Sequence, residues 1–238
     1  MSTPIPADEY LAGDVPCPAC NVGFQAVQVR TTALRPRRQL SDFYTEYDGP
    51  NPAHYAVWVC RSCLYASYRY NFRELAGHAR NRIRADEARR KAEYGGYDFE
   101  GLLRDRETVQ ASYELAIRCY EIRRARIAYR AALYLHLAWL AREAQDTEQE
   151  RHWLELALKH YQQSYTKEQA RSTKDEIKQT YFIGDLSLQL GRYQEAVRWF
   201  HETVSHPAIG EYPGLARRAR SRWADAREAA RKGKERRK

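Results

Sequence analysis

Hydrophobic and polar positions change rhythm along these 238 residues. Residues 1–13 show no period and read as a loose lead-in. Phe24-Gln-Ala-Val-Gln-Val-Arg30 alternates apolar and polar, the period of a half-buried strand. Tyr55-Ala-Val-Trp-Val59 is β-branched and aromatic and predicts a second strand. The insert between them, from Thr31 to Asp48 and beyond, carries Arg35-Pro-Arg-Arg38 and the aromatic stretch Asp42-Phe-Tyr-Thr-Glu-Tyr-Asp48. Gly49-Pro-Asn-Pro52 then makes a turn.

From Asn71 the period becomes helical. Asn71-Phe-Arg-Glu74 predicts an N-cap with Glu at N3, and the helix is expected to run to about Glu93, ended by Gly95-Gly96. A hinge or linker is expected around Tyr97 to Arg104. Beyond it everything reads as helix with short breaks. Tyr113, Ala116, Ile117 and Tyr120 share one face, as do Leu133, Leu137 and Leu140. Thr147-Glu-Gln-Glu150 predicts the capped start of a helix carrying Trp153, Leu156, Ala157 and Tyr161. Thr173-Lys-Asp-Glu176 opens another, and Pro213 suits the first turn of the last.

This helical part repeats itself. Ile183-Gly184, Gly191, Tyr193, Ala196, Phe200 and Pro207 follow the tetratricopeptide signature: small residues where paired helices touch, an aromatic between repeats, a glycine at the turn. Ala157–Tyr161 and Ala116–Tyr120 repeat the small–aromatic pair more weakly. Their spacings, 41 from Tyr120 to Tyr161 and 39 from Tyr161 to Phe200, exceed the roughly 34 of a regular repeat, so longer helices or insertions are required. Stacked helix pairs of this kind leave a groove that receives a peptide or helix. Tyr134, Arg142, Lys178 and Gln189 are the candidate groove positions, each set against the plainer reading of a solvated helix face.

Four of the five cysteines change the picture most. Cys17-Pro-Ala-Cys20 and Cys60-Arg-Ser-Cys63 are two C-x-x-C pairs with 39 residues between them, each beside strand-like sequence. Such a turn places two thiolates on one side of a tight loop, and two turns supply the four soft ligands of a closed Zn²⁺ site. Cys17, Cys20, Cys60 and Cys63 are therefore the candidate metal ligands, in a structural role. A dithiol redox or disulfide role is the competing reading, but a redox C-x-x-C normally occurs once, at the start of a helix. His54 lies six residues before Cys60 and reads as a loop residue. Cys119, beside Leu115 and Ile122 in a helical stretch, reads as a buried free thiol.

Composition bounds function from the other side. No apolar run approaches the roughly 18–20 residues of a membrane span, and Asp8 and Glu9 sit where an export leader would be apolar. A cytoplasmic location without membrane partners is the expectation. The net charge of +9 is uneven: 0 over residues 1–75, +4 over 76–130, −2 over 131–210 and +7 over 211–238. The basic end, with Arg35, Arg37 and Arg38, makes a nucleic-acid partner conceivable. The alternative for that end is a solvated, Arg-rich helix terminus. No G-x-x-x-x-G-K, G-x-G-x-x-G or H-E-x-x-H occurs, and the seven histidines have no partner at catalytic spacing, so no enzyme is expected.

The string Asp42-Phe-Tyr…Tyr47…Asn51-Pro52…Tyr55…Trp58-Val59-Cys60-x-x-Cys63-x-Tyr65-Ala66, preceded by Cys17-Pro-x-Cys20, resembles a bacterial family known as domain of unknown function 2225. The resemblance implies a zinc-ribbon head followed by tetratricopeptide-like helices, and no activity. It would place Pro at Arg61 and Gly at Leu64; if Leu64 lies at positive φ, the departure costs roughly 1 kcal/mol or more and leaves a second knuckle of slightly different shape. The expected fold is thus mainly α: a small N-terminal β zinc ribbon, then a tetratricopeptide-like solenoid. The expected divisions are a head at 1–70, a connecting helix and linker at 71–104, a helical domain at 105–232 and a basic tail at 233–238. The expected function is a zinc-stabilised interaction protein with a protein or peptide partner, nucleic-acid binding being the alternative.

Overall fold

The computed structural model describes residues 7–235. Residues 1–6 of the expected lead-in and 236–238 of the expected tail lie outside the described residues. The chain divides into two compact units, one comprising 1–39 and 45–125, the other 40–44 and 126–238. The described residues are mainly helical, with small antiparallel strand pairs near the N-terminus.

The first unit begins with an unexpected strand. Where a loose lead-in was predicted, β1 (Tyr10–Pro16) pairs antiparallel with β2 (Gly23–Val29), Tyr10 opposite Val29 and Pro16 opposite Gly23. Only Tyr10 and Val15 of β1 are buried, so its sequence lacks the alternation that marks β2. Strands β3 (Pro36–Gln39) and β4 (Thr45–Tyr47) form a second pair, and β5 (Val57–Val59) and β6 (Ala66–Tyr68) a third. Tyr10, Val27, Val29, Ala33 and Tyr55 pack into one apolar cluster.

The predicted helix from Asn71 to Glu93 differs in two ways. It starts at Gly77 and breaks at Asp86 into α1 (Gly77–Ala85) and α2 (Glu87–Tyr94). Asn71 does not cap it: its buried side chain accepts hydrogen bonds from the Ser67 and Tyr120 hydroxyls. Helix α3 (Arg106–Ile122), capped by Asp105, packs on β5 and β6, so the units divide between Ala125 and Arg126 rather than at 104/105. The expected hinge before it is tied down. Arg104 donates to the carbonyls of His54, Val57 and Phe99.

The second unit holds α4 (Ile127–Glu143), α5 (Thr147–Lys167), α6 (Thr173–Gln189), α7 (Tyr193–Ser205) and α8 (Pro213–Glu235). Asp146 and Ser172 cap α5 and α6, one residue before the predicted Thr147 and Thr173. Each helix packs on its sequence neighbours, and α6 also meets α8. Ala131, Leu135, Leu158 and Ile183 belong to one buried cluster; Tyr181, Ala196, Phe200 and Ala219 belong to another. At Gly184 a Cβ would lie 3.0 Å from the Phe200 ring, so the residue at this contact of α6 with α7 has to be small.

Candidate metal centre

Each cysteine pair sits in a turn built by the same two backbone hydrogen bonds. In the first, Asn21 N–H donates to Cys17 O (2.8 Å) and Cys17 N–H to Val22 O (3.1 Å). In the second, Leu64 N–H donates to Cys60 O (2.8 Å) and Cys60 N–H to Tyr65 O (2.9 Å). The residue after each second cysteine lies in the left-handed region: Asn21 at φ 64° and Leu64 at φ 53°. Leu64 therefore adopts the conformation that a glycine would take without strain, and the second knuckle keeps the shape of the first. Its side chain is buried, which offsets part of the backbone cost.

The two turns face each other. Cys17 Sγ lies 3.6 Å from Cys63 Sγ, Cys20 Sγ 3.7 Å from Cys60 Sγ, and all four sulfurs lie within 4.8 Å of one another. Four thiolates bound at about 2.3 Å to a central ion stand about 3.8 Å apart in a regular tetrahedron. The spacing fits a metal ion held by four cysteines, and the short contacts run across the turns rather than within a C-x-x-C pair. Cys17, Cys60 and Cys63 are buried and Cys20 half-buried, and all are free thiols.

Charge sharpens the fit. Hydrogen bonds from the Cys60 and Cys63 thiols hold Cys17 down to about 4. The same bonds to Cys17 push Cys60 and Cys63 up. One thiolate thus resists the ionisation of its neighbours, and a divalent cation at the centre removes that resistance.

A supporting shell was not anticipated from sequence. The Arg90 guanidinium, 0% exposed, donates to Cys63 O (2.8 Å), Leu64 O (3.0 Å) and Ile83 O (2.8 Å), and pairs with Asp86 at 3.3 Å. It grips the second knuckle at its strained residue. Arg118 also holds Asp86 through two bonds of 2.9 Å. Burial raises the Asp86 carboxyl, but the hydrogen bond and charge of Arg118, aided by Arg90, more than reverse this and hold it below the ordinary range. Arg84 donates to Ala19 O (2.8 Å) and so supports the first knuckle. The only sequence signal was the excess of basic residues from Arg80 to Lys91, which does not distinguish a buried arginine from a solvated one.

Of the other candidates, His54 stays outside the cysteine cluster, and its carbonyl accepts from Arg104. Cys119 is buried on α3, where its sulfur accepts the Ala66 N–H at 3.4 Å. The groove positions divide. Arg142 and Gln189 are hydrogen-bonded to each other, and Arg142 pairs with Asp42 (2.8 Å) and Glu150 (2.7 Å). Tyr134 stacks on Trp153. Lys178 lines a cavity of about 420 Å³ with Phe43, Lys174, Tyr212 and Arg218.

With the knuckles and helices placed, comparison with known proteins is informative at one level. The profile of a bacterial family described as uncharacterised protein, domain of unknown function 2225, matches residues 10–226. The chain belongs to this family. The match spans both units, so the domain of unknown function 2225 includes the helices as well as the cysteine turns. No curated protein and no solved structure matches the chain. No helix among the described residues is long and apolar enough to cross a membrane.

Proposed function

We infer that this member of the family is a zinc-stabilised interaction protein. The observation that carries the metal half is the convergence of Cys17, Cys20, Cys60 and Cys63, in two like turns, to within 4.8 Å of one another. Four thiolates in tetrahedral array suit zinc or iron, and a mostly buried site with four protein ligands is that of a structural zinc. When bound, zinc ties the two turns together and offers no open position for substrate. The chain's own residues do the rest: Arg90 and Arg84 hold the turns through their carbonyls. Five free thiols suit a reducing compartment such as the cytoplasm. The protein is not an enzyme in this reading.

The interaction half rests on the helices. Their packing on sequence neighbours and the Gly184–Phe200 contact are what a tetratricopeptide-like solenoid requires. The partner is a protein or peptide. Support for a nucleic-acid partner is thinner. Arg217, Arg220, Arg227, Arg231 and Lys232 are exposed on α8, but Arg231 pairs with Glu235 and Lys232 with Glu228. In the insert, Arg35 pairs with Glu9 and Arg38 with Glu46.

Affinity capture from a bacterial lysate, with and without RNase, tests the reading. We expect a protein partner retained in both arms and weakened by Lys178→Glu. Loss of every partner after RNase, or after removal of residues 215–238, would contradict it in favour of nucleic acid. Arg142→Glu is a poor probe of the groove, because it sets a third carboxylate beside Asp42 and Glu150 and would lower stability by itself.

A further inference from the structure

The second unit includes five residues remote in sequence from the rest, Leu40-Ser-Asp-Phe-Tyr44. They form a closed turn: Leu40 N–H donates to Tyr44 O, Phe43 N–H to Leu40 O, and Tyr44 N–H to the Asp42 carboxylate. A turn that satisfies its own backbone in this way can be offered by a short linear peptide.

The helices read this turn group by group. Arg218 on α8 donates to Leu40 O, and Tyr181 on α6 donates to Ser41 O at 2.7 Å. The Ser41 hydroxyl donates to Asp185, itself 0% exposed and held by Arg222 at 2.7 Å. Asp42, 1% exposed, accepts from Arg142 (2.8 Å) and from the Trp139 indole (3.1 Å), both on α4. The Phe43 ring sits edge-on to Tyr181 and Phe182, with the Arg218 guanidinium 4.4 Å from its centroid. The Tyr44 hydroxyl donates to Glu143 at 2.9 Å.

Two buried carboxylates and side chains that read backbone carbonyls are a costly way to pack a loop tip. Buried, fully partnered charges add little net stability over an apolar filling, and in some proteins they set specificity instead. Phe43 also sits at φ 68°, a conformation that costs a non-glycine residue about 1 kcal/mol or more. An apolar tip would fill the same slot without these costs. The selectivity has a use if the slot must choose among peptides.

We propose that the helical unit is a receptor for an Asp-aromatic-aromatic turn, and that residues 40–44 are its resident occupant. Its partner, on the interaction reading above, presents a turn of this chemistry and displaces the resident one. Phe43 borders the cavity lined by Lys174, Lys178 and Arg218, with no acidic residue in its wall among the described residues, so a partner with acidic groups beside the aromatic is favoured. A tethered occupant competes at an effective concentration on the order of millimolar. An outside peptide with a micromolar intrinsic dissociation constant is then weakened by about 100-fold or more.

The test uses full-length protein and a fluorescein-labelled peptide of residues 38–46. The double variant Asp42→Ala/Phe43→Ala empties the slot. It should bind the peptide, by anisotropy, at least about 100-fold more tightly than wild type does. Replacing Phe43 by Ala in the peptide should weaken that binding at least about tenfold. No binding by a variant that keeps its helical signal and metal content overturns the proposal. Should the variant not fold, hydrogen exchange on wild type decides: excess peptide should raise exchange in residues 40–44, and no change at millimolar peptide overturns the proposal. A variant that retains a protein partner yet ignores the peptide refutes this inference and leaves the interaction reading standing.

Discussion

The two units solve the same problem with different materials. Within α4–α8 the helical backbone satisfies itself, and side chains build apolar clusters around Leu158, Ile183 and Phe200. In the strand unit most strands span only three or four residues, and long stretches between them are irregular. Backbone carbonyls there need partners from elsewhere. Arginines supply them: Arg84 to Ala19, Arg90 to Cys63, Leu64 and Ile83, Arg104 to His54, Val57 and Phe99, and Arg123 to Glu74. A guanidinium carries five donors in a fixed fork, so one side chain can close several gaps. On the metal reading proposed above, an ion held by the four cysteines would add a cross-link between the two turns. Arginine donors do for the strand unit what helical hydrogen bonding does for the second unit.

The sharpest break between the two is Cys60→Ser. A structural zinc contributes on the order of 10 kcal/mol to a small fold, so the first unit should unfold while α4–α8 keep their far-ultraviolet helical signal. Simultaneous collapse of both, seen as one transition by circular dichroism and by tryptophan fluorescence, would show that the comparison is misdrawn. Arg90→Met should come next, at about 3–5 kcal/mol. It strands the carbonyls of Cys63, Leu64 and Ile83 in a dry interior and should also weaken metal affinity by about 10–100-fold. Urea denaturation with metal titration reads both effects. Gly184→Ala tests the other material. Its Cβ would meet the Phe200 ring at 3.0–3.2 Å, and overpacking should cost about 1–3 kcal/mol in the helical unit alone, with metal content unchanged.

How far each unit is legible in sequence follows from the same contrast. Helical periodicity locates α4–α8 because each element carries its own signal, and Gly184 is small where α6 meets Phe200 of α7. The four cysteines converge because C-x-x-C spacing is chemistry as well as pattern. Strand β1 stays hidden, since two buried residues in seven make no alternation. Asn71 misleads because an N-cap side chain looks the same in sequence when its oxygen serves Ser67 and Tyr120 instead. Arg90 and the reception of Asp42 among the helices are contacts between residues 26 and 100 positions apart, which no local pattern encodes.

X-ray absorption at the zinc edge, on purified reduced protein never exposed to chelator and with stoichiometry measured in parallel, tests the metal claim most directly. The account predicts about one zinc per chain, four sulfur neighbours at about 2.3 Å, and the same spectrum for Cys119→Ser. A folded protein without zinc, or zinc bound with fewer than four sulfurs, would contradict it.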